Sequence, residues 1–227
     1  MNMFCSLGGL NNSNHKSLRK NPNEMYRLLV LILLSLVMNC SGNRNPNESL
    51  LQHLNNESVR SKVMLDQMVW MTENLSIEIP GSFCQQDDSL NCIRYGRLYT
   101  WEAAKNGCSK LGDGWRLPTN EEWQIMAKWY GGIYDDSDDK GKSAYLNLLD
   151  GGNSEFNAYL GGNREANGNY ERLGTHGFYW TSTEYESKEA WFYNFAKGST
   201  LLNHHTGDKN RAVSVRCIKD ILLEKKL

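Results

Sequence analysis

The stretch Gly114-Trp115-Arg116-Leu117-Pro118-Thr119-Asn120-Glu121-Glu122-Trp123 restricts the fold more than any other. Gly114 stops one helix, Pro118 forbids its continuation, and Thr119 starts a second. Thr119 and Glu122 stand at the spacing of a capping box, in which each side chain satisfies an amide left free at a helix start. Trp123, Met126, Ala127 and Tyr130 then recur at helical spacing, and Gly131-Gly132 ends the run. Upstream, Trp101, Ala104, Cys108 and Leu111 form one face of an earlier helix, capped by Thr100 and ended by Gly112 and Gly114. Two such helices need a second layer to cover their apolar faces.

The last third of the chain supplies that layer. Gly177 to Thr183, Ala190 to Ala196, Ser199 to His204 and Ala212 to Ile218 are rich in aromatic and branched residues and read as strands. Trp191, Tyr193 and Phe195 alternate with Phe192 and Asn194; Val213, Val215 and Cys217 alternate with Ser214, Arg216 and Ile218. At the front, Val63 to Leu75 reads as a strand, a turn at Asp66-Gln67, and a second strand through Val69-Trp70-Met71. Ser143 to Leu149 reads as a short helix. Short aromatic strands with Gly-rich turns and only 4 Pro indicate an α+β chain, not a helical bundle. Trp115, Trp123, Trp180 and Trp191 are expected in the core, because their neighbours alternate properly. Cys84 and Cys92 enclose a polar loop. The stretch from Gly151 to Gly177 is long, Gly- and Asn-rich and without periodicity, so it is expected to be functional or disordered.

The N-terminal residues carry a targeting pattern. Leu28 to Met38 is apolar but shorter than the roughly 20 residues a membrane-spanning helix needs. Lys16, Arg19, Lys20 and Arg27 precede it, and Val37-Met38-Asn39-Cys40 closes it. This resembles a bacterial lipoprotein signal, which implies cleavage before Cys40 and lipidation of its thiol. Asn39 departs from the usual small residue; a plain signal peptide or a short uncleaved anchor is the alternative. A start at Met25 gives a more ordinary signal length. The expected organisation is a signal over 1–39, a lipidated Cys40 with a polar tether over 40–62, a domain over 63–220 and a charged tail over 221–227. The expected location is the bacterial cell envelope, at the outer membrane, with the lipid as the membrane contact. A formal net charge of -1 provides no basic bias toward nucleic acid.

With the signal, Cys5 included, removed and Cys40 lipidated, Cys84, Cys92, Cys108 and Cys217 remain, an even number in an exported chain. Four thiols allow three pairings. Cys84–Cys92 is chosen because the two lie close in sequence; Cys108–Cys217 then ties the first helix to the last strand. In the loop-entropy account a bridge closing roughly 100 residues contributes about 4.7 kcal/mol, against about 2.5 for a short loop. Free buried thiols are the alternative. There is no Cys-x-x-Cys, and His204-His205 is remote in sequence from every cysteine, so no zinc motif arises.

Five motifs occur in order: Val69-Trp70-Met71-Thr72-Glu73-Asn74-Leu75; Tyr95-Gly96-Arg97-Leu98-Tyr99-Thr100-Trp101-Glu102-Ala103-Ala104; Gly114-Trp115-Arg116-Leu117-Pro118-Thr119 with Glu122-Trp123; Trp180-Thr181-Ser182-Thr183-Glu184 with Ala190-Trp191; and Ser214-Val215-Arg216-Cys217. Together they resemble the Fibrobacter succinogenes major paralogous domain family over about Val63 to Asp220. The resemblance implies a C-type lectin-like α+β fold, shared with formylglycine-generating enzymes. Such a domain has two helices, a small twisted antiparallel sheet, adjacent termini and a long loop region. It also implies a bridge from first helix to last strand. Ser109 to Asp113 is a departure, since the family usually has the cysteine closer to the Gly-Trp turn. The resemblance implies an exported, lipid-anchored surface protein and no defined activity.

Lectin-like folds bind through their long loops, so the candidate ligand residues are Asn157, Asn163, Arg164, Asn167 and Tyr170, with Glu184 and His204 beside them. Asn, Tyr and Arg suit sugars or protein surfaces through hydrogen bonding and stacking. The expected function is non-enzymatic recognition of a glycan or protein ligand; a structural or adhesive envelope role is the alternative. The Glu-Pro-Asn and Trp-Asn-Asp motifs of calcium-dependent lectins are absent. The acidic loop Asp135 to Gly141 has Lys140 where calcium would need an oxygen and Asn147 where a closing Glu is expected, so no cofactor is expected and calcium is the minor alternative. No Gly-x-Ser-x-Gly, His-Glu-x-x-His or phosphate loop occurs, and disulfides would leave no thiol for the thiol-oxidising chemistry of the formylglycine-generating relatives.

Overall fold

A computed structural model of the protein describes residues 59–221. Cys40, the signal and almost all of the tether and tail lie outside the described residues. Strand β1 (Ser61–Val63) runs antiparallel to β2 (Val69–Met71), with Ser61 opposite Met71. The turn between them forms at the expected place. The Asp66 carboxylate accepts from the Met68 amide at 3.1 Å and from Trp70 Nε1 at 2.8 Å, and Gln67 takes a φ of 65°. Burial holds the Asp66 carboxyl above its ordinary range in spite of those bonds. On the other edge of β2 lies β10 (Ile218–Lys219), so the first and last described strands share one sheet.

Between them, β3 (Ser82–Phe83) pairs with β4 (Leu98–Tyr99) around helix α1 (Ser89–Tyr95). The segment expected as a polar loop is therefore a short turn followed by a helix capped by Asp88, whose side chain accepts from the Leu90 amide at 2.9 Å. No residue of α1 is buried, so it has no apolar stripe for periodicity to detect. Helix α2 (Trp101–Ser109) buries Trp101, Ala104 and Cys108 as expected, while Leu111 falls past its last turn. Thr100 occupies the cap position without a side-chain bond.

Helix α3 (Asn120–Trp129) starts with the expected capping box: the Glu122 amide donates to Thr119 Oγ1 at 3.1 Å, and the Thr119 amide to Glu122 Oε2 at 2.8 Å. The turn before it is pinned on two sides. Arg116 and Ile218 exchange both backbone bonds at 2.9 Å, and the Ser182 amide donates to the Pro118 carbonyl at 2.7 Å. Helix α4 (Lys142–Leu148) follows, its first amides accepted by Asp139. The long stretch 151–177 is ordered: it buries Phe156 and Ala158 and makes a small hairpin of β5 (Asn163–Arg164) and β6 (Tyr170–Glu171).

Strands β7 (His176–Glu186), β8 (Glu189–Ala196) and β9 (Leu201–Asp208) form an antiparallel sheet in that order. The expected last strand is only partly one. From Ala212 to Ser214 the chain makes single bridges to Arg164, Tyr99 and Tyr179 in turn, and becomes a strand only at Ile218. It threads the interior, so both alternating sets, Arg216 included, are buried. Trp123 is stacked on Tyr193 at 4.8 Å between centroids and meets Trp70 edge-on at 5.2 Å. Trp115, Trp123 and Trp180 are buried as expected, while Trp191 is only half-buried.

Both expected disulfides are present, Cys84–Cys92 and Cys108–Cys217. The departure at 109–113 does not disturb the second. Helix α2 simply ends at Ser109, and Gly112, Asp113 and Gly114, all at positive φ, turn the chain back toward β10. The fold is α+β, with four helices and several small antiparallel sheets among the described residues instead of two helices and one sheet.

Candidate functional site

A cleft of about 630 Å³ opens between α1, α4 and the segment that follows Phe156. Helix α1 contributes Arg94 and Tyr95. Tyr145 comes from α4, and Leu149 and Asp150 from its end. Ala158, Tyr159 and Leu160 form the opposite wall, and Gly174, Lys197 and Thr200 complete the rim. The cleft thus combines three tyrosines and two leucines with three charged groups. Arg94 lies over the Tyr95 ring at 5.1 Å. Burial, helped by the Asp150 carboxylate, pushes the Tyr159 phenol up, and burial alone does the same for Tyr145. Both phenols are therefore neutral near pH 7. Arg94, Asp150 and Lys197 make no ion pair among the described residues.

Four of the expected ligand residues come together elsewhere, on the β5–β6 hairpin. There they bind each other and the body of the fold. Asn163 is buried, donating from Nδ2 to Glu165 at 2.9 Å and accepting from Arg172 at 3.1 Å. Arg164 covers the Phe83 ring at 4.2 Å and faces Tyr170 at 5.7 Å. Asn167 makes a turn, accepting the Asn169 amide at 3.0 Å. The Tyr170 hydroxyl donates to Asp87, and burial together with that bond pushes the phenol up to about 12. Glu165 lies between Arg172 and Arg211, each at 2.9 Å. Burial alone would raise its carboxyl, but the two guanidinium groups outweigh it and hold it below the usual range.

The other three are dispersed. Asn157 takes a φ of 55° and turns its carbonyl inward to Arg216. Glu184 is exposed and paired with Lys209. His204 sits on β9, stacked on Trp191 at 4.8 Å, with its basicity lowered by burial. None of the seven lines the cleft. The stretch 151–177 contributes Ala158, Tyr159, Leu160 and Gly174 to the cleft, none of them among the expected ligand residues. Tyr159, an aromatic in a Gly- and Asn-rich stretch, was the available signal; Arg94 and Tyr95 lay on a helix without an apolar face.

In the acidic loop, Asp136 accepts the Ile133 amide at 2.7 Å and Asp139 accepts the first amides of α4. Among the described residues no group of three or more His, Cys, Asp or Glu side chains is placed to hold a metal ion, and no helix is long and apolar enough to cross a membrane.

The architecture is that of a disulfide-braced α+β domain with a tyrosine-lined cleft between two helices and a loop. The chain belongs to the Fibrobacter succinogenes major domain family, whose profile matches residues 63–219. No curated protein and no solved structure matches it.

Proposed function

We propose that this chain is an exported, lipid-anchored protein of the bacterial envelope, held at the outer membrane through Cys40, that recognises a glycan or protein ligand without performing chemistry on it. The observation that carries this reading is the cleft itself. Tyr95, Tyr145 and Tyr159 provide apolar ring surface, and Arg94, Asp150 and Lys197, which form no ion pair among the described residues, provide polar ends. A concave site that mixes aromatic and aliphatic side chains with a few polar groups is the usual form of a small-ligand site. The two disulfides favour an oxidising compartment. They also consume the four cysteines of the described unit, which argues against a thiol-oxidising activity. No cofactor is needed by this reading.

The test is a glycan array probed with the full chain, with and without EDTA, beside a Tyr159→Ala variant. Selective signals that survive EDTA and drop about tenfold or more in the variant support recognition at the cleft without calcium. Signals indifferent to Tyr159→Ala would place the ligand elsewhere. A protein ligand, and with it an adhesive role, is favoured by one further observation. Helix α1 turns Leu90 and Ile93 to solvent, 68% and 82% exposed, immediately beside Arg94. A silent array with a protein captured through that face would select this reading.

A further inference from the structure

We infer that Arg216 is the positioning residue of the cleft, holding both of its walls from a single guanidinium. Its side chain is wholly buried, and no carboxylate lies within ion-pairing distance of it among the described residues. Its donors go to neutral acceptors instead. Nε donates to Asn74 Oδ1 at 2.6 Å. One terminal nitrogen donates to the Met71 carbonyl at 3.0 Å and to the Phe156 carbonyl, and the other to the Asn157 carbonyl at 2.6 Å. The cation also lies over the Phe156 ring at 4.7 Å. Burying an ion removes its hydration, so these dipoles must replace water around it.

The acceptors lead to opposite sides of the cleft. Asn74 passes its amide nitrogen to the Tyr95 carbonyl at 2.7 Å, at the end of α1. Gly96 permits that approach, because a Cβ there would stand 2.6 Å from the Asn74 Cβ. On the other side, Phe156 and Asn157 immediately precede Ala158, Tyr159 and Leu160. Pulling both carbonyls inward, with Asn157 in the left-handed region, sets the direction in which that wall leaves the core. The planar fork of arginine can serve divergent acceptors simultaneously, whereas a lysine ammonium is a compact point charge that cannot span them.

This deepens the recognition reading above, but its test needs no ligand, so the two fail separately. Hydrogen exchange would be followed on the full chain for wild type, Arg216→Lys and Asn74→Asp. One wall is read at the amides of Gly96 and Arg97. The other is read at Ala158, and at Asp150, whose amide donates to the Ala158 carbonyl. In Arg216→Lys, exchange is expected to rise about tenfold at both walls while the β8 amides keep their protection. Asn74→Asp preserves an acceptor for Nε but cannot donate to Tyr95, so only Gly96 and Arg97 should accelerate. A rise at one wall alone in Arg216→Lys, an equal rise in β8, or no change overturns the inference. Should Arg216→Lys fail to fold, unchanged exchange at Gly96 and Arg97 in Asn74→Asp does so.

Discussion

Arg116 and Glu122 close the Pro118 turn with two side-by-side bonds, at 2.8 and 2.6 Å, so the residue that caps α3 also anchors the strand-like segment bridged to β10. One carboxylate thereby serves the helix start and its attachment to the sheet.

Replacing Glu122 by Gln should remove about 1–2 kcal/mol of stability, the usual loss for a helix cap combined with a charge-assisted pair. Burial alone would raise this carboxyl, but Arg116 and the Thr119 amide outweigh it and hold it below the usual range. Its contribution is therefore complete above the unfolded value of about 4.3 and fades as pH falls through the lower folded value. Denaturant unfolding at pH 7 and at acid pH checks both points: the deficit of Glu122→Gln should shrink in acid.

The two disulfides should contribute unequally. Cys108–Cys217 spans 109 residues and Cys84–Cys92 spans 8. Double Ser replacement of the long-range pair should cost about 2–5 kcal/mol, and that of the short-range pair less. Thermal unfolding of the two double variants, with thiol titration of wild type giving no free thiol from these four positions, checks this.

Trp123 and Trp191 separate core from surface. Trp123 is buried among Trp70, Phe156 and Tyr193, so Trp123→Ala should cost about 3–5 kcal/mol. Trp191→Ala leaves a half-buried site and should cost clearly less. A Trp191 variant as damaging as the Trp123 one would contradict the packing described.

His204 is kept less basic than a free histidine, chiefly by burial. The unfolded chain therefore binds its proton at higher pH than the folded chain, and stability falls as pH drops below about 6.5. His204→Phe retains a ring on Trp191 and removes the titrating group. Its stability should depend less on pH between about 6.5 and 5 than that of wild type. An unchanged slope, measured by urea unfolding across that range, would assign the effect to His205 and His176, which are also shifted down.

Features made by neighbours in the chain were legible from residue order alone. The Asp66 turn, the Thr119–Glu122 cap, the face of α3 and the aromatic strands all rest on bonds or periodicities within a few residues. The disulfide pairing, chosen from the closeness of Cys84 and Cys92 and implied by the family resemblance for Cys108 and Cys217, is the one the structure holds. Helix α1 escaped because a short helix that buries nothing has no pattern. The final segment reads as a strand from its alternation, which reports two faces and cannot reveal that both are covered.

The sequence by itself determined the α+β class, the two-helix turn and the covalent frame, since each depends on local sterics, capping or cysteine number. Only the tertiary structure decided where the cleft lies. It turned the Asn163–Tyr170 hairpin onto itself and left Tyr95, Tyr145 and Tyr159 facing one space. It also brought Arg216 to carbonyls 59 to 145 residues away. The physical reason is that a cleft is the space between non-local surfaces, and chain order encodes neither the distance between them nor what remains unpaired when they meet.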